Sequence, residues 1–377
     1  MRELRRIREI FKSWSGVVDI LPAVGGAMED LLYADVEEQE ERAYTAEKVF
    51  DIVWEDGFDV KKGRYRKVKE VSRRERQVFR YFLDGSFRTY FLGTVIEGDR
   101  ETPVNFAQVG ACVIYRKDDG SVNRDRLEVR NYLILSRYRL SDEAWGNIES
   151  LCKEAGIELE DVEIPNSALG RFYSSEDLRN RSAGKVRYKM HELEADLALG
   201  LVERIKDSGV WMVKDGSLMF DLILDGLCER YSDVPPIVGV AKNFRKDPIF
   251  SFGGGARRER VTIYRLLSEL EEGARTMAFK ALDGRIVFWY LRIRPQGKVD
   301  YPLMGVIKCE LVSPNREPVD SELIDMVSGS LLSERNVTPY GRDRRWHSHL
   351  YPIYLAEQAI KSAFYSREVI QQLIRWR

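Results

Sequence analysis

Carboxylates fixed on rigid strands can share a divalent ion, and this 377-residue chain offers two in matching settings. YFLDGSFRTYFLG, from Tyr81, and WMVKDGSLMF, from Trp211, each carry an apolar run into Asp-Gly-Ser, at Asp84 and Asp215. Two readings are open. Asp-Gly between alternating apolar residues is the strongest short hairpin signal, since Gly accepts positive φ and Asp tolerates it. The other reading is catalytic: two-metal phosphodiester hydrolysis needs acidic side chains from several rigid elements, clamping ions about 3.5–4 Å apart. Oxygen ligands of this kind suit Mg²⁺ or Mn²⁺. A third carboxylate stands on KMHELEADLALGLVERIKD, whose Met190, Leu193, Leu197, Leu201 and Ile205 form a helical stripe. Glu194 shares that stripe, a costly position unless it is paired or metal-bound. Glu192 points elsewhere and reads as exposed. Gathered without a cation, such carboxylates repel, so at least one is expected to hold its proton unusually tightly.

The elements that must position these groups follow from periodicity. Residues 1–77 read as a helical, basic extension. In LRRIREIFKSW, Leu4, Ile7, Ile10, Phe11 and Trp14 lie on one helical face, which reads as a packing surface. A second amphipathic stretch covers roughly residues 27–55, and KKGRYRKVKEVSRRERQ, 61–77, is either a solvated face or a phosphate-contacting strip. From residue 78 to 377 short strands rich in β-branched and aromatic residues precede the long helix, then strand, helix and strand alternate, ending in a helical region. The expected fold is α/β, one mixed sheet flanked by helices.

Composition sets further bounds. With 60 basic and 61 acidic residues the net charge of −1 neither suggests nor forbids nucleic acid, and only local clustering can speak to it. Cys112, Cys152, Cys228 and Cys309 form no C-x-x-C pair and read as reduced core residues. No apolar run is long enough to span a membrane, and the charged N-terminus lacks a signal-peptide core, so a cytoplasmic protein is expected. FGGGARRER, 252–260, lacks the P-loop pattern and reads as a surface loop or a basic loop near DNA. RDRRWHSH, 342–349, is either a polar linker or a platform for stacking single-stranded bases. His191 reads as a polar residue at the start of the long helix.

The ordered set LDGSFRTYFLGTV, ELEADLALGLVERI leading to VKDGSL, VGVAKNF and YPIYLAEQAI resembles the NurA family of DNA-end-processing nucleases, over about residues 78–365. The resemblance implies an RNase H-like core, Mn²⁺- (or Mg²⁺-) dependent cleavage of DNA, a homodimer, and partnership with a hexameric HerA-type ATPase. The apolar face of Leu4, Ile7, Ile10, Phe11 and Trp14 is therefore expected to pack on another subunit or on an ATPase ring. Carried over by motif, Asp84 and Asp215 match the two Asp-Gly-Ser carboxylates. Glu194 matches the helical glutamate, with Glu192 as the fallback, and Lys242 matches the lysine after the third core strand. The family often has Ala-His soon after Tyr-Pro, where this chain has Ala356-Glu357, which makes Glu357 a candidate fourth oxygen ligand. That departure keeps a second reading open, a non-catalytic DNA-binding or adaptor subunit of a translocase.

Overall fold

The structure, a computed structural model, describes residues 2–23, 47–50, 53–59, 63–162, 174–252, 259–297, 301–336 and 346–373. Its centre is a twelve-stranded mixed sheet. In chain order the strands are β1 (Asp19–Pro22), β2 (Tyr65–Lys67), β3 (Phe79–Glu97), β4 (Arg100–Arg116), β5 (Val122–Leu135) and β6 (Glu158–Asp161). There follow β7 (Trp211–Asp215), β8 (Ile237–Ala241), β9 (Ala274–Thr276), β10 (Phe279–Ala281), β11 (Ile286–Arg292) and β12 (Val306–Val312). They lie side by side as β2-β9-β11-β12-β8-β7-β3-β4-β5-β6, with β1 on the far end of β3 and β10 on β11. The meander β3-β4-β5 is antiparallel, whereas β7 runs parallel to β3 and β8 parallel to β7. The α/β class expected from the sequence is thus present, a mixed sheet flanked by helices.

Those helices are α1 (Arg2–Trp14), α2 (Asp142–Ala155), α3 (Ser175–Ile205), α4 (Asp221–Arg230), α5 (Ser321–Leu332), α6 (Tyr351–Ala363) and α7 (Arg367–Leu373). The longest, α3, starts at a capping box: Ser174 Oγ accepts from Asp177 N–H, and the Asp177 carboxylate accepts from Ser174 N–H. Two otherwise unpaired backbone donors are satisfied there. Its stripe Leu193, Leu197, Leu201 and Ile205 is buried as expected. His191 lies in the body of this 31-residue helix, because the helix begins well before the apolar stripe does.

Strand alternation sorts the sheet into two faces. Leu83 of β3 buries with Leu193, Leu197 and Leu201 of α3, while its neighbour Phe82 buries with Val213, Ala356 and Ile360 on the α6 side. A third cluster fills the far end of β3 and β4. There Ile7, Ile10, Phe11 and Trp14 of α1 pack with Ile148 and Cys152 of α2, and Trp14 Nε1 donates to Ala144 O at 3.2 Å. The apolar face of α1 is therefore covered by the chain itself, not by another subunit or a ring; Leu4's side chain lies outside the described residues. With β1 on β3 and β2 on β9, two strands of residues 1–77 are built into the same sheet, while Val49–Phe50 and Glu55–Asp56 pair with Ile249–Phe250 and Val319–Asp320 in two smaller sheets. Residues 24–46, most of the second amphipathic stretch, lie outside the described set.

A buried ion pair ties β4 to the segment after α5: Arg116 donates through Nη1 and Nη2 to Glu334 at 2.6 and 2.5 Å. Arg116 Nη1 also donates to Phe79 O at 3.2 Å, fixing the start of β3. All four cysteines are free thiols, Cys112, Cys152 and Cys309 buried. Among the described residues no helix is long and apolar enough to cross a membrane.

Candidate active site

Leu83 of β3 and Lys214 of β7 are the last paired residues of two parallel strands, and each is followed by an aspartate. Beyond that point the two strands no longer pair with each other. Asp84 continues on β4, opposite Cys112, and Asp215 on β8, opposite Val240. The turn reading fails for the first triplet: Asp84, Gly85 and Ser86 lie inside β3, opposite Cys112, Ala111 and Gly110. The second triplet does leave its strand, with Gly216 at φ 81°. One sequence motif thus serves two backbone conformations, and in both the aspartate sits on a strand.

Alternation sets the faces. Asp84 shares the side of Phe82, Asp215 that of Val213, and Lys242 continues the phase of Val238 and Val240, all in the cluster covered by α6. Lys242 donates to Asp215 Oδ2 at 2.6 Å. Glu357 rises from α6, where Lys361 one turn on holds its Oε1 at 2.5 Å. Asp84 is only 5% exposed. Its carboxyl is pushed well above the ordinary aspartate range, first by burial, then by the negative charge of Asp215 and, more weakly, of Glu357 and Glu194, against the pull of Lys242. The expectation that crowded carboxylates raise one member's pKa is met at this residue.

Glu194 approaches from the opposite side. A Cβ on Gly85 would lie 2.5 Å from Glu194 Oε1, so the carboxylate rests directly against the β3 backbone next to Asp84. Burial alone would raise the pKa of Glu194, but the Lys214 ammonium, 3.0 Å from Oε2, and His191 Nδ1, also at 3.0 Å, outweigh it and hold the carboxyl below its usual range. Lys214 Nζ donates as well to Asp215 O at 2.7 Å, bridging the helix glutamate to the second aspartate's backbone. Glu192 is instead part of a more exposed pair with Lys189 at 3.1 Å.

Asp84, Asp215, Lys242 and Glu357 therefore lie on one side of the sheet and are electrostatically coupled, while Glu194 meets them across the bare backbone of Gly85. Among the described residues no three His, Cys, Asp or Glu side chains stand close enough to hold a metal ion. The donors are nonetheless of the kind a hard cation takes. Asp84, buried and crowded by the negative charge of Asp215, Glu357 and Glu194, is a position where added positive charge would be favourable.

No protein-family model matches this chain, and no curated protein matches it. The functional reading rests on the residues themselves.

Sequence reasoning missed three contributors. Lys214 occupies a core-facing phase of WMVKD, and a lysine in that phase is the signal that a buried acid awaits it. Lys308 and Glu310 stand two apart in VIKCELV, on one face of an otherwise apolar strand, with Nζ 2.7 Å from Oε1. Glu310 is fully buried, and its Oε2 accepts from Ser217 Oγ at 2.7 Å and Leu218 N at 2.8 Å. It thus fastens the turn that follows Asp215. Of RDRRWHSH, the described end is turned inward: His349 is buried, and His347 Nδ1 accepts from Gly305 N at 3.1 Å. Residues 342–345 and 253–258, the remaining basic candidates, lie outside the described set.

Proposed function

We propose that this protein is a metal-dependent DNA nuclease of the NurA type, hydrolysing phosphodiester bonds at the cleft formed by Asp84, Asp215, Lys242 and Glu357. The observation that carries the reading is the placement of Asp84 and Asp215 directly after the last paired residues of two parallel central strands. An antiparallel three-strand meander, a long helix and two parallel strands also make the arrangement expected of an RNase H-like core. Asp84, Asp215 and Glu357 would hold Mn²⁺ or Mg²⁺, with Glu194 adjoining from the α3 side. Bound there, the metal supplies a nucleophilic water near neutral pH and offsets charge on the leaving oxygen.

The remaining work belongs to the chain. Lys242 seats its ammonium on Asp215, and a substrate phosphate offers that same point charge an alternative partner. Lys214 and His191 fix Glu194 in its ionised form. The Glu310 carboxylate holds the backbone after Asp215. Action on DNA ends would place the protein in the cytoplasm, as a homodimer beside a hexameric HerA-type ATPase.

One observation favours a second reading, a DNA-binding adaptor without catalysis. Lys242 and Lys214 already answer the charges of Asp215 and Glu194, and α6 carries Glu357 where the family often has His. A cleavage assay on single- and double-stranded DNA with Mn²⁺, Mg²⁺ or EDTA separates the two. Metal-dependent cleavage lost in Asp215→Asn supports the nuclease; DNA binding without cleavage in any metal supports the adaptor.

A further inference from the structure

Residues 64–76 carry seven basic and two acidic side chains in a protein whose overall charge is −1. Three of the seven are engaged: Arg64 with Glu259, Arg66 with Asp325 at 2.8 Å, and Arg73 near Glu334 at 4.0 Å. Lys67, Lys69, Arg74 and Arg76 are exposed and make no ion pair or side-chain hydrogen bond among the described residues. Of the two acids in the run, Glu70 is committed elsewhere, pairing with Arg335 at 3.2 Å and accepting from Ser333 Oγ at 3.1 Å. The exposed Glu75 makes no ion pair among the described residues and leaves the run four basic side chains against one acid.

The backbone beneath these cations is fixed. Val68 N–H donates to Gly273 O at 2.9 Å, Val71 N–H to Gly329 O at 3.0 Å, and Ser333 Oγ to Val71 O at 2.6 Å. Val68 is buried between the exposed Lys67 and Lys69, so both lysines leave the same side of an extended chain, about 6.6 Å apart. Arg74 and Arg76 follow in a tight turn, in which the N–H groups of Glu75 and Arg76 both donate to Ser72 O. The strip also lies on the right side of the sheet. Val68, Val78 and Phe79 belong to the same cluster as Phe82, Val213 and Ala356, the side on which Asp84 and Asp215 lie. Arg76 precedes Asp84 by eight positions, which caps their separation at about 28 Å.

We propose that Lys67, Lys69, Arg74 and Arg76 form a phosphate-contacting track that carries a DNA strand past the Asp84–Asp215 cleft. The proposal rests on the DNA-nuclease reading for its choice of polyanion, but it concerns binding, not cleavage. Phosphate contacts of this kind position the nucleic acid without reading its sequence, and they leave a salt signature.

The test is fluorescence anisotropy of a labelled single-stranded oligonucleotide titrated with the full-length protein in EDTA, across a series of NaCl concentrations. The Lys67→Ala/Lys69→Ala/Arg74→Ala/Arg76→Ala variant should flatten the slope of log K against log salt by about 2.8, four contacts at about 0.7 each. A control removing the exposed Lys12, Arg100, Lys153 and Arg230 should leave the slope near that of the wild type. Melting curves of both variants establish that they are folded. An unchanged slope in the first variant, equal flattening in both, or no DNA binding by the wild type would each overturn the track. Cleavage is scored separately: a protein that binds with the expected slope but never cuts keeps the track and loses the nuclease. One that cuts with an unaltered slope does the reverse.

Discussion

Glu194 lies against the backbone of Gly85 so closely that a single added carbon would meet its carboxylate at 2.5 Å. Replacing a strand glycine by alanine ordinarily helps a sheet, because glycine loses more entropy on folding and packs nothing. At this position the sign should reverse. Gly85→Ala is expected to cost about 1–3 kcal/mol, as overpacking does, and to depress cleavage by displacing Glu194. Thermal melts and turnover measured together check this, and a variant as stable as the wild type would dismiss the contact.

Asp84 offers a test in pH. Its folded-state pKa is raised above the unfolded value of about 3.9. Between those two values the folded chain binds a proton that the unfolded chain has lost, so stability falls as pH rises through the folded value. Asp84→Asn removes that dependence. In EDTA the variant should melt above the wild type at about pH 8, with the gap closing toward about pH 4. A gap that is constant across this range would mean that the buried carboxyl is not the source.

Lys214 and Glu194 are both nearly inaccessible, at 2% and 3% side-chain exposure. Lys214→Met leaves the glutamate with His191 and should destabilise by about 3–5 kcal/mol, the usual result of orphaning one member of a buried pair. Adding Glu194→Leu should recover most of that loss. A double-mutant cycle in urea measures it, and simple additivity would show that the two do not interact.

Ser217 links the turn after Asp215 to Glu310. Ser217→Ala should lower kcat roughly ten- to a hundredfold through misplacement of Asp215 while leaving KM unchanged. Ser217→Thr, which keeps the hydroxyl, should recover activity. Wild-type kcat in the alanine variant would make the contact with Glu310 incidental to catalysis.

The sheet, the long helix and the side of that helix carrying Glu194 were legible because their periodicities are strong. The backbone state of the two Asp-Gly-Ser triplets was not. Local chemistry favours a turn at both, and only pairing with Cys112, Ala111 and Gly110 holds the first one extended. The periodicity of α1 marks its apolar face as a packing surface but carries no sign of what covers it. Its partners, Ile148 and Cys152, lie more than 130 residues away, beyond the reach of any local pattern. Lys214 and Glu310 are hard to single out in the sequence because each sits in an apolar run that outweighs its charge. What they neutralise or hold is visible only once distant strands and helices meet.

The order of the chain gives the fastening of Asp215 a temporal meaning. Asp84 and Asp215 both precede β12, which inserts between β8 and β11, brings Glu310 beneath the 216–218 turn and starts only at Val306. Glu357, whose charge reaches Asp84, comes later still. A nascent chain stalled before residue 306 possesses both aspartates, the second already paired opposite Val240 and with Lys242. It lacks the Glu310 carboxylate that fastens the 216–218 turn, and its sheet lacks an inner strand. Since domains fold as units during translation, the full arrangement of Asp84, Asp215, Glu310 and Glu357 is completed only when nearly all of the protein has left the ribosome, so truncated products carry the motifs without their geometry.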